Sequence, residues 1–91
     1  TMPAQIKAVI DKMFSFYTAG IDLSGKDCAI ISCFGDTDTS VLDGIRIPFK
    51  RTAALLNWRM VGEVFIPGVQ NIGDIEKTDG CEQAAALANK F

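Results

Sequence analysis

Residues Cys28 to Asp36, Cys-Ala-Ile-Ile-Ser-Cys-Phe-Gly-Asp, hold most of what this chain offers for chemistry. The run passes from an almost purely apolar stretch into a polar loop with a thiol at Cys33, a carboxylate at Asp36 and, at Gly35, backbone that can approach a ligand closely. In open α/β sheets ligands bind beyond the carboxyl ends of the parallel strands, so a loop of this kind is a candidate binding edge. The plainer reading is a strand end followed by helix capping, with Asp36 and Asp38 as the caps, and both readings can hold together. A redox role for Cys33 lacks support, because no neighbouring cation or second cysteine is evident to activate the thiol. Cys28 and Cys81 read as small core residues. Trp58 and Phe65 offer a stacking platform, although aromatic residues beside a strand are more often core or interface. Asp11 and Lys12 read as a solvated or interhelix pair, and Gly68 to Asp74 as a mobile surface loop or an oligomer contact.

What is missing narrows the chemistry further. Three cysteines at irregular spacing argue against a disulfide framework and suggest a reducing compartment. No pair is spaced Cys-x-x-Cys and histidine is absent, which excludes a structural zinc site and any His-based nucleophile or acid/base dyad within this sequence. The nine Lys and Arg are scattered singly against eleven Asp and Glu, for a net charge of -2, so no basic stripe tracks a nucleic-acid backbone. With 48% hydrophobic and 22% charged residues over 91 positions, the chain reads as one small globular unit spanning 1–91. No apolar run approaches the length of a membrane span and no signal-peptide pattern opens the sequence; the expected location is the cytoplasm.

The elements that must position the loop follow from periodicity. Ile6, Val9, Ile10, Met13, Phe14 and Tyr17 recur on one helical stripe, predicting a helix from Pro3 to about Thr18, with Thr1 as cap, Pro3 in the first turn and Gly20 beyond the end. Asp27 to Cys33 reads as a strand whose apolar residues do not alternate with polar ones, as in parallel strands covered on both faces. The Asp-Thr-Asp-Thr-Ser run at 36–40 offers N-caps for a second helix, with Val41, Ile45, Phe49, Thr52 and Leu56 as its stripe. Pro48 requires either a kink near Gly44 or a late start, and Asn57 suits a left-handed C-terminal residue. Met60 to Ile66 is a second, more polar strand stopped by Pro67-Gly68. Asp79 and Glu82, three apart like a capping box, open a last helix running to Phe91 with Cys81, Ala84, Ala88 and Phe91 on its apolar side.

The predicted order is helix, strand, helix, strand, helix, with the two strands parallel in a right-handed βαβ unit. A two-stranded parallel sheet leaves one edge of the apolar first strand without a neighbour, and such an edge is a template for another strand. Association is therefore expected, either between copies of the chain or with a missing N-terminal half. A monodisperse monomer in sedimentation at micromolar concentration contradicts that expectation.

The succession of segments resembles the C-terminal half of flavodoxin-like NAD(P)H-dependent FMN reductases, including the iron-sulfur flavoprotein branch. Thr1 to Lys12 looks like the family's segment in which a small polar residue, Met and Gln-Leu-Lys precede Phe-Ile-Asp-Arg. Leu23-Ser24-Gly25-Lys26 looks like its connection into the fourth strand, and Gly68 to Ile75 is similar to its loop after the fifth. The resemblance implies a partial flavodoxin-like fold of the α/β class, completed by association. It implies that Cys33, Phe34, Gly35 and Asp36 line the flavin ring of FMN and that Thr1 and Met2 are the remnant of the loop after the third strand. It further implies hydride transfer from NAD(P)H through flavin to an electron acceptor, with the chemistry carried by the cofactor. Phe34 in place of a second small residue, Lys12 in place of Arg and Asn57 in place of Gly depart from the family pattern.

In that family the FMN phosphate is held by the loop after the first strand, and the cysteines of the iron-sulfur branch lie upstream; neither is in this sequence. The expectation is a piece of an FMN-dependent oxidoreductase that does not bind FMN alone. The alternative is a non-catalytic interaction or remnant domain that oligomerises through its exposed strand edge. A receiver-type domain of the same architecture needs an acidic pocket from strands this sequence does not contain.

Overall fold

Two parallel strands with a crossover helix between them form the centre of the chain, as the non-alternating first strand requires. The computed structural model describes residues 3–91; the expected cap at Thr1 and the expected flavin-side positions Thr1 and Met2 lie outside them. Helix α1 covers Ala4–Thr18, strand β1 Asp27–Cys33, helix α2 Asp43–Leu55, strand β2 Arg59–Ile66 and helix α3 Gly80–Leu87. Short 3-10 turns at Thr39–Leu42, Asp74–Lys77 and Ala88–Lys90 fill the joints. The protein is thus mixed α/β with an open two-stranded sheet. The register runs from Asp27 beside Arg59 to Cys33 beside Ile66, with an irregularity between Cys28 and Ala29 that passes over Val61.

The two faces of the sheet are covered by different helices because side chains alternate along β2. On one face Glu63 pairs with Arg46 of α2 at 2.9 Å, and the same guanidinium lies 5.3 Å from the centre of the Phe65 ring. On the other face Val64, Ile66 and Leu87 of α3 form the buried core, with Ala29, Val69 and Ile75 packed against it. Glycines make this contact possible: Leu87 occupies the space a Cβ on Gly62 would need, and a Cβ on Gly80 would come within 2.6 Å of Ile66 Cδ1.

The helix starts late, at Asp43 after the 3-10 turn, yet Pro48 still lies inside it, past the first turn, where its ring nitrogen cannot donate to the Gly44 carbonyl. Four of the five expected stripe positions hold: Leu56 is buried and Ile45, Phe49 and Thr52 are half-buried, whereas Val41 is exposed and Ala53 is also buried. Asn57 follows α2 with φ 57°, in the left-handed region anticipated for it. Trp58 then anchors the turn into β2, its indole N–H donating to the Leu23 carbonyl at 2.6 Å.

Several expectations need correction. Pro3 occupies the N-cap of α1 and not its first turn, because helical geometry begins at Ala4. Asp79 and Glu82 form no capping box: the Asp79 carboxylate accepts from the Gln83 side chain at 2.7 Å, and the Gly80 N–H donates to Thr78 Oγ1. The buried face of α3 is Gly80 and Leu87, with Ala84 half-buried between them, while Cys81, Ala88 and Phe91 are exposed. Cys81 is therefore not a core residue; Cys28 is half-buried against Met60. The helix also stops at Leu87 and continues to Lys90 as a 3-10 turn.

The α1 stripe forms as a helix but is not buried by this chain. Ile10 and Met13 are half-buried, and Ile6 and Val9 remain 54% and 55% exposed. Among the described residues, no helix is long and apolar enough to cross a membrane.

Candidate functional site

Cys33 ends β1, and the chain leaves the sheet through Phe34, Gly35 and Asp36 at the same edge where Ile66 ends β2. The two strand ends are tied together by backbone hydrogen bonds. Phe34 N–H donates to the Ile66 carbonyl at 3.0 Å, Val69 N–H to the Phe34 carbonyl at 2.9 Å and Gly68 N–H to the Asp36 carbonyl at 3.4 Å. The loop after β1 is thereby tied to the start of the loop after β2 beyond the end of the ladder.

Behind Asp36 the backbone turns on its own carboxylates. Asp36 Oδ1 accepts from Asp38 N–H and Asp38 Oδ1 from Ser40 N–H, each at 2.9 Å, so that Asp38 caps the 3-10 turn before α2. The capping reading is thereby realised for Asp38, on the 3-10 turn, whereas Asp36 closes a loop turn onto Asp38 and caps no helix, and α2 itself, with Leu42 at its N-cap, has no side-chain cap. The Ser40 contacts hold the Asp38 carboxyl below its ordinary value. The Gly35 and Asp36 amides donate to no acceptor among the described residues.

These elements enclose a depression of about 350 Å³. Its polar rim is Ser32 to Asp36 and its apolar wall is Pro3, Val41, Leu42 and Ile45. Cys33 and Asp36 are exposed on the rim and Phe34 is half-buried. The four expected residues within the described chain therefore share one concave site at the carboxyl ends of both strands. Among the described residues lining it, the one charged group is the Asp36 carboxylate. No cluster of metal-binding side chains occurs among the described residues.

Gln70 is a site residue that sequence reasoning missed. Its side-chain amide donates to the Gly35 carbonyl at 3.0 Å, and its Cγ lies 2.9 Å from where a Cβ on residue 35 would sit. A side chain at position 35 would therefore push the Gln70 side chain out of its present place. Gln70 is in turn positioned by Asp74, whose Oδ2 accepts the N–H groups of Gln70 and Asn71 at 3.1 and 2.9 Å. Those two bonds, Asn71's foremost, hold the Asp74 carboxyl below its ordinary value. The Gly68 to Asp74 segment is hydrogen-bonded to the site loop, and the signal for this was an Asp placed to accept from preceding amides. Trp58 and Phe65 lie near opposite ends of β2 and form no common platform.

Compared with protein-family models, curated proteins and solved structures, the chain matches none.

Proposed function

We propose that this chain is the flavin-ring side of an FMN-dependent, flavodoxin-like NAD(P)H oxidoreductase, and that on its own it does not hold FMN. The supporting observation is the depression at the carboxyl ends of β1 and β2, lined by Gly35 and Asp36, whose amides are unengaged among the described residues, and by Pro3, Val41, Leu42 and Ile45. Its size falls at the low end of small-molecule sites. Donors along one rim and apolar surface behind them suit the polar edge and flat face of an isoalloxazine ring, whose chemistry is the cofactor's own.

The residues fit the ring and not the phosphate. Asp36 is an anion, and no cation stands among the described lining residues to hold a phosphate dianion. NAD(P)H and the electron acceptor would approach the flavin from outside this chain.

Titration of the labelled chain with lumiflavin, the ring without its phosphate, tests this reading. Amide shifts should concentrate at 33–36 and 41–45, and millimolar inorganic phosphate should leave them in place. Absence of any shift at the solubility limit of lumiflavin, or uptake of stoichiometric FMN by the isolated chain, overturns it.

A second reading is favoured by the open edge of β1: a non-catalytic domain that works by association. The chain exposes 6251 Å², whereas a compact monomer of 9.8 kDa exposes about 5,200 Å².

A further inference from the structure

We propose that Gln70 is a positioning residue for the site after β1: through the Gly35 carbonyl it fixes the peptide that presents the Asp36 N–H to a ligand in the depression, and Asp74 in turn fixes Gln70. The inference rests on the flavin reading for the identity of the ligand, and deepens it by giving the loop after β2 a part in holding the ring.

The peptide between Gly35 and Asp36 is trans, like every other described, so its C=O and N–H point in opposite directions within one plane. Whatever holds the carbonyl therefore aims the amide. Three successive carbonyls of the site loop are held by one short segment of the loop after β2. Val69 N–H donates to the Phe34 carbonyl at 2.9 Å, the Gln70 side chain to that of Gly35 at 3.0 Å and Gly68 N–H to that of Asp36 at 3.4 Å. The outer two bonds are backbone to backbone and do not depend on which side chains stand at 68 and 69. Only the middle one is made by a side chain. It falls on a glycine, the residue with the widest choice of backbone torsions, so the orientation of this peptide is the one that a single side chain decides.

Gly35 and Asp36 line the depression, whereas Gly68, Val69 and Gln70 do not. The segment that takes the carbonyls is thus not the surface that receives the ligand. With its carbonyl bound to Gln70, the peptide leaves the Asp36 N–H without an acceptor among the described residues. A carbonyl oxygen on the polar edge of a ring is the class of group it would take.

Two further features tie Gln70 to this task. Its Cγ lies 2.9 Å from where a Cβ on residue 35 would sit, so the lack of a side chain there is what gives the Gln70 amide its path to the carbonyl. Its backbone is anchored as well. Asp74 Oδ2 accepts the N–H groups of Gln70 and Asn71 at 3.1 and 2.9 Å, and Lys77 Nζ stands 3.5 Å from the other carboxylate oxygen. Gly73, at φ 89°, turns the chain back so that Asp74 meets those amides. Only the side-chain torsions of Gln70 then remain to be ordered when it bonds Gly35.

The test compares the 91-residue chain with Gln70→Ala, Gln70→Asn and Gln70→Glu. Lumiflavin is the probe, and the residual dipolar coupling of the Asp36 N–H reports the peptide's orientation without a ligand. Gln70→Ala, and Gln70→Asn with a side chain one methylene shorter, should weaken lumiflavin binding about three- to tenfold and shrink the Asp36 coupling. The couplings of β1 and β2, circular dichroism and Trp58 fluorescence should stay as in the parent. Gln70→Glu supplies the rescue. Ionised, its carboxylate cannot donate, and the variant should behave as Gln70→Ala. Protonated, it donates to Gly35 and should regain the parent's coupling and affinity, with a midpoint at or above about 4.3 because the Asp74 carboxylate holds the same residue. The parent, followed over the same pH range, accounts for Asp36, Asp38, Asp74, Glu76 and Lys77 on these segments. An Asp36 coupling that Gln70→Ala leaves unchanged, or that acid fails to restore in Gln70→Glu, overturns the inference. Equal lumiflavin affinity in the parent and Gln70→Ala overturns it too, yet leaves the flavin reading standing. If the parent takes up no lumiflavin the flavin reading falls, and the dipolar couplings alone decide whether Gln70 orients the peptide.

Discussion

Asn57 turns α2 into β2 through a left-handed conformation that costs an ordinary L-residue about 1–2 kcal/mol and asparagine less. Asn57→Ala should therefore lower stability by about 1 kcal/mol, and Asn57→Gly should match or exceed the parent; urea unfolding followed by Trp58 fluorescence measures both. Asp74 makes a pH-dependent prediction. Its carboxyl is held below the ordinary aspartate value by the Asn71 and Gln70 amides, so the two bonds are intact at neutral pH and are lost as pH falls through the lowered value. The Asn71 and Gln70 amide resonances should titrate with a midpoint below that of an ordinary aspartate; an ordinary or raised midpoint means the bonds are not formed. Asp74→Asn should remove the titration and loosen Gln70 from Gly35. Among the thiols, Cys28 is pushed up by burial and then by Asp27, whereas Cys33 and Cys81 are exposed. A slightly alkaline thiol assay should show Cys33 and Cys81 reacting before Cys28, and equal rates for all three contradict the packing of β1.

At the scale of elements, the tightest contact is α3 on β2, where Leu87 fills the space over Gly62. Gly62→Ala should cost about 1–3 kcal/mol by overpacking. Leu87→Ala should cost about 2–5 kcal/mol on its own, yet the double variant should lose less than the sum, because the new methyl enters the vacated space. Additive losses in a denaturation cycle would place Leu87 elsewhere. The same contact marks a limit of what the sequence made legible. The strand β1, the parallel pairing and the late start of α2 were readable, since β-branched residues, turn glycines and the proline each impose a local rule. The face of α3 was not, because a helix made largely of alanine has almost no contrast between its sides and the decisive residues were a glycine and one leucine. The Asp79 to Glu82 spacing failed for a related reason: Thr78 and Gln83 were equally good partners for the same groups. Within the candidate site, Cys33 to Asp36 was visible as a strand end running into a glycine loop. Gln70 was not, because it reaches Gly35 from 35 residues away.

The whole molecule is extended for its length, with a Cα radius of gyration of 14.6 Å against about 12 Å for a compact 91-residue domain. Small-angle scattering of the isolated chain should give the larger value. The open edge was inferable from sequence because two strands cannot cover each other on both sides. That α1 would lack cover was not, since its stripe has the period of a buried helix and periodicity does not say which molecule supplies the other half of the contact.

That uncovered helix also sets the order in which the chain comes apart. α1 has 15 residues and no fully buried side chain, a length at which an isolated helix in water is marginal. Its ends have neither an acidic residue in the first turn nor a basic one in the last to favour it electrostatically. Heating should therefore melt α1 first, as a shallow loss of helical ellipticity, while the Val64, Ile66 and Leu87 core holds to a later and steeper step. A ligand or partner seated along β1 would bring the two steps together into one.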